Sequence, residues 1–258
     1  MCRHLAYLGP PATLRSVIIE PPHGLYTQSW APRRQRHGTV NADGFGIGWY
    51  ADGDPVPARY RQTGPIWGDE SFADVARVTR AGAILAVVRD ATAGTDPGLA
   101  AVTPFAAGCW LFSHNGVIDG WPDSAAALAA TLDPGLLLEL PARVDSALAW
   151  ALVLDRLRRG LAPAQALADA IGALDTAGVT GRFNFLLTDG HVIAATAAGD
   201  TLWYRGEPAV TVASEPGDDE PGWVEVPDDT VLHATPQQLT VTRLDRRTES
   251  PDGRILPR

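Results

Sequence analysis

Two strand-patterned regions enclose a helical middle, and that order narrows the fold of this 258-residue chain more than any other feature. Residues 83–89, AILAVVR, are a continuous apolar run of strand length, which predicts a buried strand. Beyond residue 180, RFNFLLT, the turn pair Asp189-Gly190 and HVIAAT read as a hairpin. Between these regions, Asp123-Ser124 opens a short Ala-rich helix and Asp145-Ser146 opens a longer one ending near Gly160. Pro163 suits the first turn of a third helix, which runs to about Gly178. Strands, then helices, then strands, without an internal repeat or a linker, predict one α+β domain with its sheets packed between helical layers.

The flanking segments fill in this plan. Residues 2–9, CRHLAYLG, read as a strand ended by Pro10-Pro11, with a short helix over 12–19. Residues 20–43 are rich in Pro, Gly, Arg and His and lack an apolar period; a loop of that length in a compact domain is usually functional. FGIGWY at 45–50 and the segment 57–63 predict a hairpin across Asp52-Gly53. Ser71 is expected to cap a helix over 72–80, and a strand over 109–113 to deliver Ser-His-Asn-Gly at its end. Further strands are expected over 201–205, 209–213, 230–235 and 239–244. The domain is expected to span 2–244, with a polar tail over 245–258.

A net charge of −9 argues against nucleic acid and against an anionic membrane as partners, because no basic surplus exists to neutralise phosphates. The sequence has no lysine, which excludes Schiff-base and P-loop lysine chemistry. Cys2 and Cys109 make neither a disulfide framework nor a zinc motif, and Cys109 reads as an inert buried thiol within a strand. His4, His37 and His114 lack metal-ligand spacing and read as hydrogen-bonded structural residues, so no metal or other cofactor is expected. Few cysteines, no apolar leader and no run of membrane-spanning length predict a soluble cytoplasmic protein.

Four segments carry candidate chemistry. If Met1 is removed, Cys2 presents a thiol and an α-amine on one residue, a nucleophile with its own base. Asn115-Gly116 supplies either two N–H donors for an oxyanion or an ordinary tight turn. Arg89, with Thr92 following it, suits bidentate carboxylate recognition or snorkelling from a sheet edge. Asp145 is either a helix N-cap or a carboxylate aimed at an ammonium group. Asp43-Gly44 is a turn or a carboxylate near the site. Trp30 and Trp67 read as loop-packing residues or, because they lie in polar loops, as pocket walls.

MCRHL, NADGFGIGWY, VRDATAG, SHNGVI and VDSALAWAL follow the order and approximate spacing of the class II glutamine amidotransferases, which the chain resembles. That resemblance implies a four-layer αββα sandwich of the N-terminal nucleophile hydrolase type. It implies Cys2 as nucleophile on a γ-glutamyl carbonyl, Asn115 and Gly116 as oxyanion donors, Arg89 with Thr92 on the α-carboxylate, and Asp145 on the α-ammonium. Ala93 stands where many members have a histidine. QSWAPRRQRHG, PIWGDESF, GDTLW and ASEP narrow the resemblance to the γ-glutamyl-hercynylcysteine S-oxide hydrolases of ergothioneine biosynthesis. A small γ-glutamyl substrate follows. Trp67 or Trp30 would then face its trimethylammonium group, and Arg33-Arg34 its sulfoxide or carboxylate. Two alternatives stay open: a glutaminase subunit feeding ammonia to a separate synthase, and a non-catalytic γ-glutamyl-binding protein on the same fold.

Overall fold

The computed structural model describes residues 2–38, 40–91 and 98–246, together with the strand residues 248–249 and 255–256. Two antiparallel sheets form the centre. The first contains β1 (Arg3–Thr13), β2 (Phe45–Trp49), β3 (Ala58–Gln62) and β4 (Arg80–Val88), with β9 (Trp203–Arg205), β10 (Val210–Ala213) and β11 (Val224–Glu225), in the order β11-β9-β10-β1-β4-β2-β3. The second contains β5 (Phe105–Ala107), β6 (Trp110–Ile118), β7 (Gly181–Thr188), β8 (Ile193–Ala197), β12 (Thr230–Ala234) and β13 (Leu239–Arg243), in the order β13-β12-β8-β7-β6-β5. A small hairpin of β14 (Thr248–Glu249) and β15 (Ile255–Leu256) follows.

Alternation along the strands sorts side chains into three packed layers. Ala6 and Leu8 of β1, Leu85 and Val87 of β4, Leu111 of β6 and Leu186 of β7 meet between the sheets. The opposite parity, Leu5 with Ile84, Ala86 and Val88, packs outward against α1 (Leu14–Ile18), α2 (Leu25–Gln28) and α3 (Glu70–Val78). Phe112, Phe183, Phe185 and Leu187 cover the outer face of the second sheet, against α6 (Asp145–Arg158) and α7 (Pro163–Thr176). Each such Leu, Val or Phe contributes about 1.5–3 kcal/mol through burial. Helices outside, two sheets inside: the αββα sandwich is present. Short α4 (Ala126–Ala129) and α5 (Pro134–Leu138) lead into α6.

Several local expectations give way. Pro10-Pro11 does not end β1. The strand has by then lost its β10 partner, which stops opposite Leu8, and its register against β4 shifts between Leu8 and Ala12, so the missing N–H groups cost no ladder bond. Asp69 rather than Ser71 caps α3, its carboxylate accepting from the Phe72 N–H at 3.1 Å. The 20–43 segment contains α2. Cys109 lies in the β5–β6 turn beside Gly108, whose φ of 55° suits that bend, and is half-buried. Ser113 to Gly116 lie inside β6, which continues to Ile118 because β7 pairs with it as far as Gly181. The polar tail starts docked: the Arg246 guanidinium bonds Asp175 and Asp229.

Candidate active site

The site forms where the start of β1 meets the second sheet. Cys2 precedes β1 and packs against the inter-sheet core, half-buried, with its Sγ 4.0 Å from the Asp90 carbonyl oxygen. His4, two residues along the same face, reaches across the gap: its Nδ1 lies 2.7 Å from Ser113 Oγ of β6. Asn115 is two residues further on that face of β6 and fully buried. Neither its amide nitrogen nor its amide oxygen has a hydrogen-bond partner among the described residues. An unpartnered buried amide costs about 1–3 kcal/mol, which marks a position held for something other than packing.

Arg89 follows the last residue of β4 and is 6% exposed. Asp43 and Gly44 hold it in place. Its N–H donates to the Gly44 carbonyl at 2.8 Å, its carbonyl accepts from the Asp43 N–H at 2.9 Å, and the Asp43 carboxylate accepts from the Ala91 N–H at 2.8 Å. Asp43 is thus a brace for the arginine rather than a free carboxylate. Its neighbour Gly44, at φ 137°, has no room for a Cβ beside Val102 and the Gln62 carbonyl. Thr92, the other residue expected at this corner, lies outside the described residues.

Asp145 is the first residue of α6, with Val144 at the cap position. Its carboxylate accepts from the Ser146 N–H at 2.7 Å and from the Ile118 N–H at 3.0 Å, which ties the helix to the end of β6. A carboxylate in the first turn of a helix interacts favourably with the helix dipole.

Charge converges on the thiol. Burial pushes the Cys2 thiol above its ordinary value; the positive N-terminus, the Asp90 contact and Arg89 pull it down, and Asp145 pushes it up. Both the guanidinium and the carboxylate therefore act on the same sulfur. Burial holds His4 neutral, its pKa pushed down to about 3, and also lowers that of His114, against the pull of Asp145 and of the Arg182 carbonyl. His114 Nε2 donates to the Arg182 carbonyl at 2.8 Å.

Gly116 has a tighter requirement than an approaching substrate. A Cβ there would sit 1.9 Å from the Arg182 carbonyl oxygen and 2.5 Å from His114 Nε2, so the β6–β7 contact already excludes any side chain. Trp30 and Trp67 come together although 37 residues separate them. Their rings meet edge to face at 5.5 Å, Tyr26 adds an edge on Trp30 at 5.0 Å, and both indoles stay partly exposed at 42% and 39%. The arginines of this loop are engaged elsewhere: Arg33 bonds Asp219 at 2.7 Å and Arg34 lies 4.7 Å over the Trp203 ring.

Arg3 and Glu215 belong to the MCRHL and ASEP motifs, which assign neither of them a role. Both are fully buried and their side chains bond at 2.5 Å, across 212 positions of chain. The one local sign was a charged residue inside an otherwise apolar strand, since nothing in the pattern names so distant a partner.

The pattern of the class-II glutamine amidotransferases matches residues 23–226. The chain belongs to that family. Among individual members, the γ-glutamyl-hercynylcysteine sulfoxide hydrolase of Mycobacterium tuberculosis is 42% identical over 95% of this chain and 98% of its own length. The protein of the same name from Mycolicibacterium smegmatis is 42% identical over 95% of this chain and all of its own. A class-II glutamine aminotransferase domain protein from Silicibacter pomeroyi superposes with a TM-score of 0.69 at 25% identity, covering 94% of this chain and 99% of that one. The glutamine phosphoribosylpyrophosphate amidotransferase of B. subtilis superposes with a TM-score of 0.65 at 15% identity, over 94% of this chain and 49% of that one. The αββα architecture is accordingly that of the N-terminal nucleophile amidotransferases. No helix among the described residues of this amidotransferase-family chain is long and apolar enough to cross a membrane.

Proposed function

We propose that the protein hydrolyses the γ-glutamyl amide of γ-glutamyl-hercynylcysteine S-oxide, giving hercynylcysteine S-oxide and glutamate. The observation that carries this reading is the joint action of the Arg89 cation and the Asp145 anion on the Cys2 thiol, beside the unpartnered amide of Asn115. A cation and an anion at fixed positions match a zwitterionic α-amino acid head, with Arg89 taking the α-carboxylate and Asp145 the α-ammonium. The 42% identity over almost the whole chain to hydrolases of that name supports the choice of conjugate.

The chemistry follows from where the groups lie. Removal of Met1 leaves the α-amine on Cys2, where it takes the thiol proton; the amine titrates near pH ~8, close enough to accept it and return it. The thiolate attacks the γ-carbonyl carbon, and the oxyanion is met by the Asn115 amide N–H and the Gly116 backbone N–H. The amine then protonates the departing nitrogen as the C–N bond breaks, leaving a γ-glutamyl thioester on Cys2. Water, deprotonated by the same amine, attacks the thioester, frees glutamate and restores the thiol. The exposed Trp30–Trp67 pair offers ring faces to the trimethylammonium end of the leaving group.

The test is glutamate release from a panel containing glutamine, a simple γ-glutamyl dipeptide and the sulfoxide conjugate, using protein whose intact mass shows Met1 removed. The conjugate is expected to have the highest kcat/KM. Cleavage of glutamine alone overturns the specific reading and favours an ammonia-supplying glutaminase; activity with Met1 retained overturns the amine as base.

A further inference from the structure

We propose that Glu215 is a positioning residue for the nucleophile, a single carboxylate that clamps the first residue of β1 and the 33–34 loop into one rigid unit. Because the nucleophile in question is Cys2, the inference rests on the function proposed above. A nucleophile at the extreme end of a chain poses a mechanical problem. Once Met1 is gone, Cys2 is held by one peptide bond, to Arg3, and strand termini are where sheets fray. Reacting atoms must nevertheless be placed to within about 0.5 Å, and a displacement of about 1 Å can cost on the order of a hundredfold in rate. The fastening has to act at residue 3.

Arg3 carries it. The side chain of Leu5 packs on the outer face of the first sheet and that of Ala6 on the inner, so by alternation Arg3 projects outward while Cys2 and His4 face the inter-sheet layer. The Arg3 Nη2 donates to Glu215 Oε2 at 2.5 Å in a setting closed to solvent on both sides. Glu215 is itself located by the ladder just before it, in which the Ser214 N–H donates to the His4 carbonyl at 3.0 Å and the His4 N–H to Ser214 Oγ at 3.0 Å. Its carboxylate takes two further donors, the Arg33 N–H on Oε1 at 3.0 Å and the Arg34 N–H on Oε2 at 2.7 Å. One side chain thus joins the nucleophile's neighbour to the loop that follows Trp30. The Arg3 Nε and Nη1 have no hydrogen-bond partner among the described residues, so the hydrogen bonding of that guanidinium rests on Glu215, with the Asp200 carboxylate adding attraction at longer range. A buried ion pair of this kind is a poor device for stability alone, since an apolar pair of similar volume serves as well or better.

The experiment compares wild type, Glu215→Gln and the double variant Arg3→Met/Glu215→Met. Hydrogen exchange is followed on the peptide covering residues 2–8 against one from β4, alongside kcat, KM and Tm. In Glu215→Gln, exchange at Arg3–Leu5 is expected to rise at least tenfold with β4 unchanged, and kcat to fall at least tenfold with KM within threefold. The double variant, which removes both charges of the pair and leaves only Asp200 without its neighbouring cation, is expected to regain most of the Tm lost in Glu215→Gln but not kcat. Unchanged exchange at residues 3–5 overturns the clamp. Recovery of kcat together with Tm in the double variant reduces Glu215 to a structural residue and overturns its positioning role. Wild-type inactivity on every γ-glutamyl compound defeats the proposed function, and the exchange measurement still decides the clamp.

Discussion

The two ends of β1 solve opposite problems with opposite chemistry. At the C-terminal end, Gly9 to Thr13 are partly or largely exposed, the register shifts, and the contacts are light ones such as the Tyr7 hydroxyl on the Pro10 carbonyl and Arg80 on the Pro11 carbonyl. At the N-terminal end, Arg3 and His4 are wholly buried and each polar link is long-range: Arg3 to Glu215, His4 to Ser113 and Ser214. A strand end usually tolerates disorder. Here the N-terminal end is the better fastened of the two, which is what the proposed nucleophile at Cys2 requires.

The sharpest way to break this comparison is Cys2→Ala, which is expected to remove measurable γ-glutamyl cleavage while leaving the circular dichroism and Tm close to wild type. Asn115→Ala comes next: losing one oxyanion donor costs about 2.7–4 kcal/mol, or roughly a hundred- to thousandfold in kcat, with KM little altered. Arg89→Gln is expected to lower kcat/KM about tenfold or more, largely through KM, since a charge-assisted bond to the substrate carboxylate is worth about 1.5–3 kcal/mol. A smaller effect concerns acid. Folded His4 stays neutral down to about pH 3, whereas an unfolded histidine takes up its proton near pH 6.5, so stability declines as pH falls through that window. His114, shifted the same way, adds to the decline. Thermal melts of wild type should therefore drop between about pH 7 and about pH 5, and His4→Gln should flatten the slope. Smallest of all, Pro10→Ala at the open end should change Tm and kcat within error, because a surface substitution there costs within about 0.5 kcal/mol.

What could be read in the sequence was whatever is local and periodic. The run 83–88, the hairpin across Asp189-Gly190, and the long helices from Asp145 and Pro163 each declare themselves within a dozen residues. Asn115-Gly116 was ambiguous for the same reason. As a dipeptide it favours a turn, and only the pairing of Asn115 with Asn184 and of Gly116 with Phe183 keeps it in a strand. Asp145 resembled a cap because capping is a one-residue rule, while its bond to the Ile118 N–H is a tertiary contact. Asp43 looked like a turn residue and serves as the brace of Arg89. Glu215 stands in the ASEP motif, but nothing local names its partners, which lie 181, 182 and 212 positions away. The family motifs name the candidate residues; the contacts of Glu215 are visible only in three dimensions.

Asn115 also sets a limit on how robust this fold can become. Keeping both polar atoms of a buried amide without a partner among the described residues is a standing penalty on the resting molecule. On the proposed mechanism, Asn115→Leu, of similar volume, is expected to raise Tm and abolish turnover. If Asn115 serves as proposed, endurance and turnover are traded against each other in that one side chain.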